Sequence, residues 1–370
     1  MEYKKLGDIA TYINGYPFKP EDRGECGLPI IRIQDLTGNT YDLGYYDGKY
    51  PERIEINNGD ILISWSASLG VYVWNRGKAL LNQHIFKVVF DKVEINKRYF
   101  VYAVQFKLKE MEAKAHGATM KHIVKKDFDS TLIPYPSLKE QSRIAETIDS
   151  IAESINMRQK QLQKLDDLIK ARFVELFASV EAEDTLQNLC TFIDYRGKTP
   201  EKVESGLPFI TAKNIRMHRM SFDTLEYISK ETYDRVMTRG FPQIGDVVFT
   251  TEAPLGNVCR IPFIETEFYI GQRIITMQTE RLEPAYLEYA LSSDEFKRKI
   301  AEKSSGSTVT GIRSKLLEQL TIPVPPRALQ ERFAAFVTQA DKSKAAVQKA
   351  LDETQLLFDS LMQKYFGYSY

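Results

Sequence analysis

Apolar residues recur at heptad spacing over two long stretches of the chain, and each stretch follows a proline-rich segment. In residues 139–178, eight of the ten positions of the heptad seam are apolar. A shift of 189 residues finds the same register near the end of the chain. The spacing predicts two long amphipathic helices whose apolar seam positions are Ile144, Ile148, Ile151, Ile155, Leu162, Leu165, Ile169, Phe333, Val337, Val347, Leu351, Phe358 and Leu361.

The segment ahead of each helix has a different pattern, in which short β-type runs alternate with turns rich in Gly, Pro and Asn. Residues 30–33, 61–63 and 85–90 are such runs, and each has a counterpart in the second half of the chain. One or two helices are interspersed with them. The pattern predicts a mixed α/β (α+β) head of about 135 residues before each long helix.

The two halves repeat each other in order. "GLPIIRIQDL" at 27–36 matches "GLPFITAKNI" at 206–215, and "NGDILISWSASLG" at 58–70 matches "IGDVVFTTEAPLG" at 244–256. A period of half the chain indicates a duplicated domain rather than a solenoid of short repeats. We therefore predict a head over 1–137, a spacer helix over 138–180, a second head over 181–326 and a distal spacer helix over 327–370.

The two long helices are expected to pair with each other. About 40 residues of helix make a rod of ~60 Å, which is longer than a small domain is wide. The alternative is that each helix packs alone against its own head, as most amphipathic helices do. Because one helix connects the heads and the other ends the chain, pairing would be antiparallel and would hold the heads at opposite ends.

Composition narrows the functional classes. The chain has 50 basic and 50 acidic residues and is 43% hydrophobic, which is ordinary for a folded protein and argues against coating nucleic acid through bulk positive charge. Its three cysteines lie far apart, which indicates a reducing compartment without structural disulfides. Neither an apolar signal core nor a run of 18 apolar residues is found, so we expect a soluble cytoplasmic protein without a membrane partner.

Two local windows are nevertheless basic. Residues 107–126 carry a net charge of +4 and residues 296–315 a net charge of +5, at equivalent positions of the two repeats. Their centres, "AHGATMKH" and "SSGSTVTG", contain glycine, hydroxyl and amide groups that suit phosphate oxygens. A solvated helix face would explain either window alone, but the recurrence favours binding to nucleic acid.

The repeated phrases share one overall sequence pattern but differ in their polar residues. This is expected of two domains that recognise different base sequences. Arginine can pair with guanine, Asn or Gln with adenine, and Asp with cytosine. The alternative to a base contact, for any one of these residues, is a position in a surface loop whose sequence has drifted between the two copies. The candidate DNA contacts are Arg32, Gln34, Asp35, Ser64, Ser66, His116, Thr119, Lys121, Lys125, Lys126, Thr211, Lys213, Asn214, Arg216, Thr250, Thr251, Ser305, Ser307, Thr308 and Arg313.

Signatures of catalysis are missing from the sequence. "RGKT" at 196–199 resembles the end of a phosphate-binding loop, but residue 192 is Phe where that loop needs Gly. The four histidines lack metal-ligand spacing, and neither GxSxG nor HExxH occurs. The sequence also lacks the Asn-Pro-Pro-aromatic tetrapeptide of amino-methyltransferases. We expect no catalytic residue, no metal and no cofactor in this chain.

The order of these motifs resembles the specificity (S) subunit of type I restriction–modification enzymes over essentially the whole chain. "GDILIS", "LIPYPSLKEQSRIAETIDSI" and "TIPVPPRALQERFAAFV" carry the resemblance. It implies two target-recognition domains that read a bipartite site in double-stranded DNA, and a helical pair that fixes the gap between the half-sites. The second copy departs from the first with "RALQE" in place of "SLKEQ".

The resemblance also implies partners. Two modification subunits would use S-adenosylmethionine to methylate adenine, and restriction subunits driven by ATP and Mg would join them, so these cofactors would belong to the partners. Two alternatives stay open: the specificity subunit of a related restriction system, and a non-enzymatic scaffold that holds a protein on each head. An autonomous methyltransferase or nuclease is disfavoured by the missing signatures.

Overall fold

The computed structural model describes residues 2–40, 42–114, 123–195, 199–271, 273–303 and 311–367. The chain forms two compact units, which are Met1–Gln159 with Lys349–Tyr370, and Lys160–Gln348. Each unit combines one head with segments of both long helices, α5 (Leu138–Phe177) and α11 (Arg327–Phe366). Among the described residues, no helix is both long and apolar enough to cross a membrane.

The first head contains ten short strands, four α-helices and two 3-10 helices, Pro20–Asp22 and Glu52–Ile54, among the described residues. Its helices are α1 (Leu6–Ile9), α2 (Ile33–Leu36), α3 (Lys97–Lys114) and α4 (Lys125–Ser130). Its strands are β1 (Tyr3–Lys5), β2 (Thr11–Asn14), β3 (Leu28–Ile31), β4 (Tyr45–Tyr46), β5 (Glu55–Ile56), β6 (Ile61–Ser64), β7 (Gly70–Val73), β8 (Ala79–Leu81), β9 (Ile85–Val89) and β10 (Leu132–Pro134).

Two four-stranded sheets build this head, in the orders β2-β9-β6-β7 and β4-β3-β8-β5. All strands of the first sheet pair antiparallel, whereas β3 and β8 of the second pair in parallel. The largest core lies between the first sheet and α3, where Tyr99, Phe100 and Phe128 are completely buried. The alternating apolar residues of β6 and β9 thus supply both faces of the head with core side chains.

The second head repeats this plan. Its helices are α6 (Leu186–Leu189), α7 (Lys230–Val236), α8 (Pro284–Ser292), α9 (Asp294–Lys303) and α10 (Ser314–Glu318). Its strands are β11 (Glu183–Thr185), β12 (Thr191–Ile193), β13 (Leu207–Ile210), β14 (Ile215–Arg216), β15 (Arg219–Met220), β16 (Glu226–Ile228), β17 (Val247–Thr250), β18 (Val258–Arg260), β19 (Tyr269–Ile270), β20 (Ile274–Gln278) and β21 (Thr321–Pro323). The main sheets run β12-β20-β17-β18 and β16-β13-β19, and β13 and β19 pair in parallel.

Each head is closed at its base by the strands that begin and end it. β1 pairs antiparallel with β10, and β11 pairs antiparallel with β21. The proline-rich segment after β10 or β21 then leads directly into α5 or α11. The last bonds of these ladders are donated by Tyr135 N and Val324 N, and the prolines that follow, Pro136 and Pro325, have no N–H with which to extend them.

Hydrogen bonds at the start of each long helix are repeated in both units. Gln141 Oε1 accepts from the backbone of Asn96 at 2.9 Å, and Gln330 Oε1 accepts from the backbone of Glu283 at 2.8 Å. Both glutamines are buried and also donate to the carbonyl five residues earlier. The glutamine in each proline-rich motif therefore fixes the direction in which the helix leaves its head.

The long helices contact each other in antiparallel fashion within each unit. In the first unit, Ile144 and Ile148 near the start of α5 share a core with Met362 and Phe366 near the end of α11. In the second unit, the rings of Phe177 and Phe333 lie 5.5 Å apart, which places the end of α5 beside the start of α11. All twenty positions of the two heptad seams are buried or half-buried. The predicted fold class of two similar α/β heads with a pair of antiparallel coiled-coil helices is confirmed.

Candidate nucleic-acid interface

The turn after the Gly-Leu-Pro strand is held by one buried side chain in each head. Asp35 Oδ2 accepts from the backbone N–H of Arg32 at 2.8 Å, and Asn214 Oδ1 accepts from the backbone N–H of Thr211 at 2.9 Å. Both Asp35 and Asn214 are only 1% exposed. Each of these side chains caps the turn in this structure, and its assignment as a base contact stays a prediction. Short polar residues can either cap a turn or contact a base, and in this structure both side chains cap the turn.

Four hydroxyl candidates are also buried. Ser64 and Thr250 are completely buried, and each donates to the backbone carbonyl four residues further on, which closes the loop after β6 or β17. Ser66 and Thr251 are 6% and 0% exposed. A buried hydroxyl reaches a base edge only if its loop opens, and the assignment of these four residues as DNA contacts stays a prediction.

Other candidates remain accessible. Lys213 and Arg216 of the second head are exposed, as are Lys126 at the start of α4 and Arg313 just before α10. No ion pair of these four side chains is found within the described part of the chain. Their positive charge is thus available to phosphate oxygens.

The remaining described candidates are partly engaged. Arg32, Gln34 and Thr211 are half-buried, and Arg32 Nε lies 3.4 Å from Asp35 Oδ2. Its guanidinium also donates to the carbonyl of Asp42. Arg32 could therefore contact a ligand only with the part of its guanidinium that this bonding leaves exposed.

Lys125 is exposed but already has partners. Its ammonium lies 2.5 Å from Asp129 Oδ2 and 5.8 Å from the centre of the Tyr12 ring. Burial, assisted by the charge of Asp129, raises the pKa of Tyr12, so the phenol beneath the ammonium stays neutral. Of the two lysines at the start of α4, Lys126 is accordingly the stronger candidate for contact with phosphate.

Six candidates lie outside the described residues. They belong to the glycine-containing centres of the two basic windows and are His116, Thr119, Lys121, Ser305, Ser307 and Thr308. Their assignment stays a prediction.

Backbone hydrogen bonds bring the candidate segments of the first head together. Asn82 N donates to the carbonyl of Ile31 at 3.0 Å, Trp65 N donates to that of His84 at 3.3 Å, and Ile123 N donates to that of Trp65 at 3.0 Å. Segments 31–36, 82–84, 64–70 and 123–126 are therefore consecutive neighbours. We call this set of four segments the loop row of the head.

The second head has the same loop row. Gly271 N donates to the carbonyl of Ile210 at 3.0 Å, Thr251 N donates to that of Arg273 at 2.8 Å, and Ile312 N donates to that of Thr251 at 3.0 Å. Its segments are 210–214, Gly271 with Arg273, 250–257 and 311–315. Equivalent bonds thus hold equivalent loops in both heads, although the exposed side chains differ.

Sequence reasoning missed the second segment of each row. Gln83 is exposed in the first head, and the Arg273 side chain is 55% exposed in the second, where its Nε lies 3.2 Å from Glu252 Oε2. The sequence did offer one indication of these segments. "NQHIF" at 82–86 and "GQRII" at 271–275 occupy matching places in the repeat but differ in their polar residues. Their place beside the first segment follows from the parallel pairing of distant strands, which the local pattern does not show.

A duplicated α/β head with matching loop rows but different exposed side chains defines a two-part recognition protein. The family model described as "Type I restriction modification DNA specificity domain" matches residues 1–167 and 184–354. The chain therefore belongs to the type I restriction–modification DNA specificity family, and the resemblance drawn from its motifs is confirmed.

Curated relatives and a solved structure agree with this membership. The chain is 24% identical to the type I restriction enzyme EcoBI specificity subunit of Escherichia coli, over 98% of this chain and 84% of that protein. It is 22% identical to the MjaVIII specificity subunit of Methanocaldococcus jannaschii, over 94% and 89%. A crystal structure of the S subunit from M. genitalium matches 100% of this chain and 96% of that chain, with a TM-score of 0.57 and 16% identity, and shows the same fold.

Proposed function

We propose that this chain reads a bipartite site in double-stranded DNA, with one half-site for each head. The single observation that carries the proposal is the repeated loop row, in which the same backbone bonds support different exposed side chains. Two loop rows with the same backbone structure but different exposed side chains suit the recognition of two different base sequences on one duplex. The paired long helices would then set the number of unread base pairs between the half-sites.

Within each loop row, we assign different tasks to buried and exposed residues. The buried caps and hydroxyls hold the loops in one conformation before DNA arrives, which lowers the ordering cost of binding. Exposed Lys126 and Arg313 lie at equivalent ends of the two rows and would contact phosphates, thereby setting the register. Exposed or half-buried side chains nearer the strand tips, among them Gln34 and Lys213, would supply discrimination between bases.

The chain itself would recognise DNA rather than modify or cut it. Modification subunits would bring S-adenosylmethionine and adenine methylation, and restriction subunits would bring ATP and Mg, as the family resemblance implies. The number of two modification subunits is part of this proposal and follows from the family resemblance. These enzymes act on cellular DNA, so a cytoplasmic location is part of the same proposal.

The zero net charge of this chain affects how strongly it can bind DNA without partner subunits. A subunit with little bulk attraction to DNA depends on its partners for much of the electrostatic contribution to affinity. We therefore expect the chain alone to bind its site more weakly than the assembled methyltransferase does. Titration of both samples with one fluorescent duplex checks this, and equal affinity would contradict it.

Single-molecule methylome sequencing tests the main proposal. The host strain should show methylated adenine in a bipartite motif, and the motif should disappear when this gene is deleted and return with the intact gene. Complementation with a K213A variant should relax or alter one half of the motif and leave the other half unchanged.

A matched control is K342A, which removes an exposed charge from α11 outside both loop rows. It should restore the original motif. A motif without a gap, a change in both halves, or methylation that survives the deletion would refute the proposal. Retained binding of partner proteins without any DNA preference would instead support the two-headed scaffold.

A further inference from the structure

A small hairpin of the second head presents two arginines side by side. β14 and β15 pair antiparallel, with Ile215 opposite Met220 and Arg216 opposite Arg219. Ile215 and Met220 are buried, whereas both arginines are exposed and form no ion pair within the described part of the chain. Like charges directly opposite each other destabilise a ladder unless a negative group lies between them. The opposed pair therefore suits an anionic ligand that both guanidinium groups can contact.

The turn of the hairpin is held by an uncommon backbone conformation. His218 has φ +60°, a left-handed value that costs energy for a residue with a Cβ. Three contacts stabilise it. Its N–H donates to the carbonyl of Val258 at 2.8 Å, its Nδ1 lies 2.9 Å from Glu288 Oε1, and its ring stacks on Tyr289 with centroids 4.2 Å apart.

Burial of Ile215 and Met220 fixes the base of the hairpin, and the contacts of His218 hold its tip. Met217 and His218 form part of the wall of a cavity of about 780 Å³, so one side of the turn faces open space rather than core. Without the contacts of the imidazole, the turn would have room to move. The contacts of His218 therefore hold the tip of the hairpin between the two arginines.

A series of hydrogen bonds and ion pairs connects His218 to the long helices of the same unit. Glu288 is 2% exposed, and its Oε2 accepts from Arg260 Nε at 2.6 Å. Arg260 Nη2 donates to Asp341 Oδ2 of α11 at 3.0 Å. Lys344 of α11 lies 2.7 Å from Asp166 of α5. The hairpin is thus tied through one buried carboxylate to the helix pair.

The first head has a different sequence at this place. The residues after its turn are Thr37, Gly38, Asn39 and Thr40, which carry no positive charge. The hairpin also touches the loop row of its own head, because Asn257 Nδ2 donates to the carbonyl of Ile215 at 2.9 Å. The arginine pair is therefore a feature of the second head alone, and it lies beside the segments proposed to contact DNA.

We propose that Arg216 and Arg219 together bind a backbone phosphate of duplex DNA, and that His218 is the positioning residue that presents them. The inference rests on the proposed DNA-reading function and deepens it. Arginine suits the task because its planar guanidinium donates in a fixed fork that matches phosphate oxygens. Such a contact fixes the register of the second head on the duplex without itself reading a base.

The test measures the salt dependence of DNA binding by the full chain, alone and co-expressed with its modification subunit. The probe is a duplex of about 40 base pairs that contains the motif found by methylome sequencing, with a random duplex for comparison. The double variant R216A/R219A should reduce the slope of log affinity against log salt by about 0.9, because the pair neutralises one phosphate, and R216A and R219A should each give part of that reduction. H218A should approach the reduction of the double variant R216A/R219A and should add nothing to it.

Two further variants separate positioning from folding. H218N should recover part of the slope, because Asn tolerates the left-handed conformation and offers a donor. R235A removes an exposed arginine of α7, which follows β16 at the opposite end of the sheet from the Thr211 turn, and should leave the slope unchanged. Thermal unfolding of every variant confirms that the second unit is intact.

The outcomes distinguish this inference from the function on which it rests. Slopes of R216A, R219A and H218A equal to that of R235A, with a steep wild-type slope, would overturn the inference and leave the function standing. A wild-type sample without salt-dependent duplex binding would refute the function itself. A changed base preference in R216A/R219A would assign the pair to base readout, and loss of the modification subunit would assign it to a protein contact; either result overturns the phosphate assignment.

Discussion

Replacing Phe366 with Ala is expected to release the end of α11 from the first head. The Phe366 side chain is completely buried, and its ring centre lies 5.2 Å from that of Tyr99 and 6.3 Å from that of Phe106. Removal of a buried Phe side chain costs about 3–5 kcal/mol, which combines the lost transfer free energy, the lost ring contacts and the cavity left behind. We expect a loss of about 4 kcal/mol for the first unit.

Scanning calorimetry of the full chain measures this loss. For a unit of about 180 residues, 4 kcal/mol lowers the midpoint of unfolding by roughly 8–16 °C. Hydrogen exchange should also become faster in the last turns of α11 and not in the second head. The repeat mate Phe177 lies 4.8 Å from Tyr286 in the equivalent contact, so F177A should destabilise the second unit by a similar amount.

The matched control is L356A on the same helix, where the side chain is 72% exposed. Its free energy of unfolding should stay within about 0.5 kcal/mol of the wild-type value. A loss below about 1 kcal/mol for F366A, or one equal to that of the control, would refute the view that ring burial attaches the helix end to the head.

Three further predictions concern the buried charge, the thiols and the base of the second head. E288A should destabilise the second unit by about 3 kcal/mol, because two basic partners lose a buried carboxylate, and E288Q should cost less; denaturant titration compares them. Burial raises the pKa of Cys190 and Cys259 to about 12, so a thiol reagent at pH 8 should modify exposed Cys26 rapidly and the other two only after unfolding. The Lys299 ammonium of α9 donates to Glu183 and lowers the pKa of that carboxyl. The stability that this ionised carboxylate adds is therefore present above the unfolded pKa of about 4.3 and is lost as pH falls through the folded pKa. E183Q should abolish that part of the acid sensitivity, and unchanged acid unfolding would contradict the assignment.

Periodicity predicted the helices well because their seams are long and regular. The heptad predicted a helix over residues 139–178, and α5 spans Leu138–Phe177. Strands were located within one or two residues, since the predicted runs 61–63 and 85–90 became Ile61–Ser64 and Ile85–Val89. Repeated phrases also gave the duplication, because insertions between the copies are small.

The roles of single polar residues were harder to predict. Asp35 and Asn214 are of types that contact bases, yet they are also the types that cap turns, and their place three residues after Arg32 and Thr211 is the spacing of a cap. Burial decides between the two roles, and burial depends on the tertiary fold. The bond between His218 and Glu288 joins residues 70 apart in sequence, so no local pattern could reveal it.

The pairing of β1 with β10, and of β11 with β21, has a consequence for how such a protein can change. Because the chain enters and leaves each head through neighbouring strands, everything between them can be exchanged as a cassette without stretching the junction. A recombination event that swaps one cassette would give the cell a new DNA target in a single step, while the attachment to the long helices stays as it was.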